Sequence, residues 1–352
     1  MNPSSTRLCG PLDSPHVDGD NLLWSASLAV AWRELAALLG GGLVAAEGSS
    51  AAVSAWLEGM ARDAVAAASL QDPAIVARAG SGRAFLEELS AALAEAGLEA
   101  GAALSQVDRW AGGFHAYAQF DKAVRFAVPF EKEERPWYSC GSWVESFGLE
   151  RRQQSEEVWQ AQREQLVVHY PCYDDEEAET LEGEELYRAM NDFLVELVLD
   201  GREDRLFVAS LRRGATLRET VAKARSMMTE GALRHPRGHL AAGERFRMPI
   251  VDLDLLVEHA IVAGARVSAR SDEPLALLGE VIQHLAFRLD EGGATVRSSA
   301  RSSGLSLPPR ALDCVRPFLI FWLSGASELP LAALWIENGE VMRRMPTPDF
   351  VR

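Results

Sequence analysis

The side chains best suited to metal binding or nucleophilic chemistry are seven histidines and four cysteines, and their spacing joins almost none of them. His16, His115, His169, His235, His239, His259 and His284 are scattered along the chain. His235 and His239 alone stand four apart, but Pro236 and Gly238 interrupt the helix that would bring both to one face. Cys9, Cys140, Cys172 and Cys314 form no C-x-x-C pair and fit a reduced compartment better than a disulfide framework. There is no G-x-S-x-G elbow, no H-E-x-x-H and no phosphate-binding glycine loop; Gly40-Gly41-Gly42 and Gly80-Ser81-Gly82 punctuate helices. The acidic run Asp174-Asp175-Glu176-Glu177 lacks the ligand spacing and turn glycine of a calcium loop. The residues therefore name no catalytic group, no metal and no cofactor, and the expectation is a protein that is not an enzyme.

One stretch does have unusual spacing: Phe287 to Phe318. Leu285, Phe287 and Leu289 fall on one face, with Arg288 between the last two and Asp290 just after, as on a half-buried strand. From Glu291 to Ser306 the chain is mostly Gly, Ala, Ser and Thr, and Pro308-Pro309 precede the very apolar run Pro317–Leu323. The plain interpretation is a surface loop between two strands. A structureless loop of this length inside a compact domain is uncommon, however, and usually functional or disordered. Its small residues also fit a second state. With Gly292-Gly293 as a hinge, such a segment could slide between two strands, making a two-state element.

The whole-chain totals limit the partners. The chain has 352 residues, 48% of them hydrophobic, and a formal charge of −16, with 51 acids against 35 bases. Nucleic acid and anionic membranes attract basic surfaces, so neither is expected as a partner. No apolar run reaches membrane length and the first residues form no apolar leader, so the expected location is cytoplasmic, or secreted where a leader precedes this sequence. A monomer is expected.

Positioning the loop requires elements on both sides. Residues 1–20 read as a flexible tail and 21–352 as a single domain, with the loop at 291–310. Asn21 to Leu39 reads as the first helix, capped by Ser25 or Ser27 and striped by Leu28, Trp32, Leu35 and Leu39. Further helices are expected near Ala51–Ala68, Arg83–Ala96 and Thr216–Met228. Strands are expected from Tyr117 toward Pro129-Phe130, at Phe193–Leu199, Leu206–Leu211 and Leu277–Leu289, and in the pair Phe318–Leu323 and Leu331–Ile336. Residues 131–190 are the least legible.

These residues resemble a family. Asp290-Glu291-Gly292-Gly293-Ala294-Thr295, followed by small residues and by Pro317-Phe318, is similar to the hinge, reactive loop and following strand of serpins. Asn21-Leu-Leu-Trp-Ser25-Ala-Ser27 resembles the family's first helix start, with Ala26 where its proline stands. Phe126, four before Phe130, takes the place of a tryptophan in the family's Trp-x-x-Pro-Phe segment. Phe246–Asp254, with Leu255–Ala263 as a helix, resembles its Pro-containing strand and the helix that follows. Gln283, beside His284, falls where serpins carry a histidine that helps hold the central sheet shut; a one-residue slip would put His284 on the opposite face.

The resemblance implies a divergent, bacterial-type serpin-like protein: a single α+β domain with three β-sheets, several packed helices and an exposed reactive loop. Its implied function is inhibition of serine or cysteine proteases. The target would cut the loop, and the hinge (Glu291, Gly292, Gly293, Ala294, Thr295, Val296, Ser298, Ala300) would enter the main sheet. The scissile candidates are Leu305, Ser306, Leu307 and Arg301. Leu305-Ser306 is preferred because Pro308 follows Leu307, and it suits a chymotrypsin- or subtilisin-like protease. The implied sheet-opening residues are Asn21, Ser25, Phe126, Gln283 and His284. Two alternatives stay open: a non-inhibitory binding protein of the same fold, and an unrelated α+β protein whose loop imitates the hinge.

Overall fold

Among the described residues the strands gather into three main sheets and one two-stranded hairpin. In the computed structural model, residues 4–98, 113–123, 125–151, 154–171, 179–200, 204–234, 238–241, 243–269, 275–292, 310–325, 327 and 329–347 are described. A seven-stranded sheet runs in the order Thr6–Leu8, Asn21–Ser25, Ala332–Ile336, Phe318–Ser324, Asp204–Ser210, Phe193–Val198, Leu166–Tyr170. Its first pair is parallel and the rest are antiparallel. Its strands are apolar on both faces, because helix Leu217–Arg234 packs against one side and the six-stranded sheet lies beneath the other.

The six-stranded sheet has Ala276–Leu289 and Phe114–Ala123 side by side at its centre. Ile75–Gly80 flanks the second, while Arg266–Ser268 and Val251–Glu258 share the outer edge of the first. Helix Ser27–Leu38 lies against the inner face, and Leu28, Trp32 and Leu35 join the main core. A four-stranded sheet orders Ala311–Asp313, Arg245–Pro249, Ser146–Glu150 and Glu131–Lys132. It receives the chain where it returns from the connection that begins after Gly292. The expected α+β class with three main sheets and packed helices is therefore observed, joined by a two-stranded hairpin, Trp137–Ser139 with Ser142–Val144.

The structure corrects several local expectations. Residues 4–20 are no loose tail: Thr6–Leu8 extends the seven-stranded sheet, and Ser4, Ser5 and Thr6 bond to the Glu340 carboxylate. Asn21 to Ser25 is a fully buried strand, and the helix begins only at Ser27. An apolar run buried on both faces lacks the alternation that would separate strand from helix. Neither serine caps that helix; their hydroxyls bond each other at 2.8 Å. Leu255–Ala263 forms no helix, because Val251–Glu258 is one strand whose inward residues Val251 and Leu253 alternate with exposed Asp252 and Asp254. Within 131–190 lie short strands and the helices Glu156–Glu164 and Gly183–Asn191.

Candidate functional site at the sheet seam

Ala276–Leu289 and Phe114–Ala123 are parallel and directly paired from Leu278↔Phe114 to Arg288↔Ala123. The place between them is thus closed along the whole strand. Strand alternation sends Val281, Gln283, Leu285, Phe287 and Leu289 inward, where all are buried. Ile282, His284, Ala286 and Arg288 face the other way.

On the inner face the middle of the seam carries a buried polar group, Gln283. It is fully buried, and its position opposite Ala118 leaves room beneath the sheet. Its Nε2 donates to Ser25 Oγ at 3.0 Å, while its Oε1 accepts from His259 Nε2 at 3.0 Å. His259 stands beyond the end of the neighbouring strand, anchored through its own N–H to Val281 O at 2.8 Å and set against the Trp56 ring at 5.8 Å. Burial pushes the His259 imidazole below its ordinary value, with the Gln283 hydrogen bond acting the other way. A neutral ring with its proton on Nε2 is the form that satisfies Gln283. Nearer the loop, the buried Trp322 ring meets Phe120 at 6.3 Å and Phe287 at 6.1 Å, one from each strand of the seam. Lys122 lies over the same ring and pairs with Asp72 and Asp204.

The outer face is gripped as well. Phe85, Leu89 and Leu93 of helix Gly82–Glu95 form a small core with Val76, Tyr117 and Ile282. Tyr117 and Ile282 are register partners across the seam, so this helix bridges both strands. The Tyr117 hydroxyl donates to Gln119 Oε1 at 2.8 Å, which lets the ring be buried without an orphaned polar atom.

At the top of the seam the chain turns. Gly292 has φ +72°, a backbone conformation open to glycine, and Asp290 Oδ1 accepts its N–H at 2.8 Å. A Cβ on Gly292 would fall 2.7 Å from Phe126 Cδ2. Phe126 is buried against Phe130 and Phe147, and Phe130 N–H donates to Glu291 O at 3.1 Å. Gln162 donates to Pro129 O at 2.6 Å, and Gln165 exchanges two bonds with the Val128 backbone. At the far end Ala311–Asp313 pairs in parallel with Arg245–Pro249. Two ion pairs clamp it, Arg310 with Glu244 and Arg245 with Asp313 (2.6 Å).

The structure thus brings Ser25, Phe126, Gln283, Glu291 and Gly292 to one seam. His284 faces away from it and pairs with Asp254 at 2.6 Å. Asn21 is elsewhere, bonded to Thr6, Glu337 and Asn338 at the end of the seven-stranded sheet. Gly293, Ala294, Thr295, Val296, Ser298 and Ala300, together with Arg301, Leu305, Ser306 and Leu307, lie outside the described residues. Sequence reasoning missed the parts played by His259 and Trp322, and, although it expected the helix near Arg83–Ala96, it missed that this helix covers the seam. Alternation on 251–258 would have placed His259 just past a strand end, and the stripe Phe85, Leu89, Leu93 would have announced a covered sheet face. Among the described residues no group of three or more His, Cys, Asp or Glu side chains gathers as metal ligands.

These elements define a single-domain α+β protein whose main sheet has a parallel central pair leading into a long connection. No family model and no curated protein matches the chain. Among solved structures it is similar to native protease nexin-1 with heparin, at 10% identity and a TM-score of 0.51, covering 91% of this chain and 93% of that one. It is also similar to thyroxine-binding globulin in complex with thyroxine (11% identity, TM-score 0.47, 91% and 93% covered) and to maspin (10%, 0.45, 90% and 92%). The fold is that of the serpins.

Proposed function

We propose that the chain inhibits a serine or cysteine protease by accepting cleavage in residues 293–309 and inserting the freed hinge between Phe114–Ala123 and Ala276–Leu289. It would contribute no catalyst; the chemistry would be that of the protease. The observation that carries this reading is the parallel pairing of these two strands, with Gly292 in a left-handed turn at the end of one of them. A strand that enters after this turn runs antiparallel to both neighbours, and antiparallel ladders are slightly the more stable. Insertion exchanges one ladder for two, and the backbone hydrogen bonds gained are opposed by the entropy of ordering the strand. The fit of the inward side chains therefore decides, and Ala294, Val296, Ser298 and Ala300 are small enough to enter.

Incubation with chymotrypsin tests this. The expected result is a covalent complex that survives boiling in detergent, and a nicked protein whose Tm is well above that of the intact one. Ser298→Arg should turn the protein into a plain substrate. Cleavage without a covalent band and without a rise in Tm would sink the proposal.

The grip on both faces of the seam, by Trp322 within and Phe85, Leu89 and Leu93 outside, favours a second reading: a binding protein of the same fold whose sheet stays shut. Nicking would then leave Tm unchanged.

A further inference from the structure

Helix Gly183–Asn191 departs from the other helices in that none of its described side chains is buried. Its apolar residues face water: Leu186 is 37% exposed, Tyr187 50% and Met190 73%. An amphipathic helix normally covers its apolar stripe with the rest of the protein. This one is held by its flank instead. The Arg316 guanidinium donates to Tyr187 Oη at 2.9 Å and lies over the ring at 5.7 Å, and Arg188 lies over the Tyr170 ring at 5.7 Å.

Arg316 ties the helix to the distal base of the loop, since it follows the clamped strand Ala311–Asp313. Its neighbour Val315 is 46% exposed, and Tyr138 on the adjoining hairpin is 53% exposed. That hairpin is docked on the same segment: Cys140 N–H donates to Val315 O at 3.2 Å and Ser139 Oγ to Cys314 O at 2.5 Å. Tyr138, Val315, Tyr187, Leu186 and Met190 are therefore exposed apolar residues on elements that meet at residues 314–316. Tyrosine and methionine are among the residue types enriched at protein interfaces, and tyrosine also at their energetic centres. Beside them stand exposed Glu179, Glu182, Glu184 and Glu185, the end of a run with eight acids between Asp174 and Glu185.

We propose that this apolar patch with its acidic border docks the protein that seats the loop, through an apolar centre and a basic rim on that partner. The surface begins at residues 314–316, directly after the strand Ala311–Asp313 that anchors the loop's far end, and this continuity is the ground for taking the protein seated on the loop as its partner. Glu184 is paired with Arg212 at 3.5 Å, so the sign of the partner's rim is set by exposed Glu179, Glu182 and Glu185, which a basic rim attracts and an acidic one repels. The identity of the partner as a protease rests on the function proposed above; the surface itself does not require insertion.

The probe is chymotrypsin, a cationic protease, with its catalytic serine replaced by alanine, so that binding is read without cleavage. Leu186→Ser/Met190→Ser should weaken its affinity at least ~10-fold, and Glu182→Gln/Glu185→Gln should both weaken it and flatten its salt dependence. Active chymotrypsin should nick both variants more slowly than the parent, while a synthetic peptide of residues 293–310 is cut at one rate throughout. An unchanged Tm shows that the variants are folded, as expected for exposed positions. Equal affinities for parent and variants, or a parent that binds no better than the peptide, would overturn the docking surface. Absence of a detergent-stable complex would remove the inhibitor reading and leave this affinity comparison standing.

Discussion

His259 donates its Nε2 proton to Gln283 Oε1 at 3.0 Å, and so orients the glutamine to donate to Ser25. An imidazole thus helps hold one strand of the seam in place, but it comes from just beyond the end of the neighbouring strand and not from position 283. The result is a bolt from the sheet to the strand–helix junction beneath it, made wholly of buried groups. In such a place a missing partner costs more than a made bond contributes.

The bolt predicts a pH dependence. Burial holds the His259 imidazole below its ordinary value, so the unfolded chain takes up a proton near pH 6.5 that the folded chain refuses. Its contribution is complete above about pH 6.5 and is lost as pH falls below that. His16, lowered to about 4 by burial first and Arg213 second, acts in the same direction. Glu196 is held at about 2: burial would raise it, but hydrogen bonds from Arg205 and His169 outweigh that, so its contribution is lost only at more acid pH. Between pH 7 and 5, Tm of the parent should fall more steeply than Tm of His259→Asn. Parallel profiles would show that His259 is not kept neutral by the fold.

Gly292 supports a second prediction. Its left-handed φ costs any other residue about 1–3 kcal/mol. Its Cα also lies against the Phe126 ring, so a Cβ forces the ring aside. Gly292→Ala should lower unfolding stability by roughly 2 kcal/mol, and the loss should shrink when Phe126→Leu is present. Additive losses in denaturant titrations would show that the ring contact carries no energy.

How far the chain could be read follows from these same residues. The strand before Gly292 was legible because Phe287 and Leu289 fall on one face as a strand should, whereas the small-residue stretch that follows lies outside the described residues. Counting back from the hinge glycine picked out Gln283, and strand alternation put His284 on the opposite face. The partners were not legible, because contacts between Gln283 and His259, or between Tyr117, Ile282 and Phe85, depend on which strands are neighbours. Parallel neighbours far apart in sequence leave no local trace. The strand at Asn21–Ser25 was hidden by its own burial, and Asn21 was drawn away from the seam by the backbone N–H groups of Glu337 and Asn338, which need an acceptor.

The outer clamp gives a third prediction. Leu89 is fully buried in the small core that spans the seam. Leu89→Ala should cost about 2–5 kcal/mol of stability through the cavity it leaves. If the inhibitor reading holds, it should also speed the rise in Tm after the loop is nicked, since Tyr117 and Ile282 must part before a strand can enter between them. A slower or unchanged rise would mean that the helix does not limit opening.

The last prediction follows from the inhibitor reading and concerns what keeps the seam closed while the chain is intact. The loop's far end is fastened by the parallel strand Ala311–Asp313 and by the pairs Arg310–Glu244 and Arg245–Asp313. Exposed ion pairs contribute little, but these are half-buried and bidentate, which places them above the ordinary surface pair. With both ends fixed, a strand entering from Gly292 would run away from its own anchor, so cleavage or release of residues 311–313 must come first. Glu244→Ala/Arg245→Ala removes one partner from each clamp. On incubation without any protease, this variant should drift to a higher Tm over hours while the parent stays constant, because the freed strand lets the uncut hinge enter the seam. The drift should be abolished by adding Ser298→Arg, whose side chain is too large and charged to face inward. A variant that simply melts lower, with no drift, would show that the clamp serves stability alone and that insertion is not held back at this end.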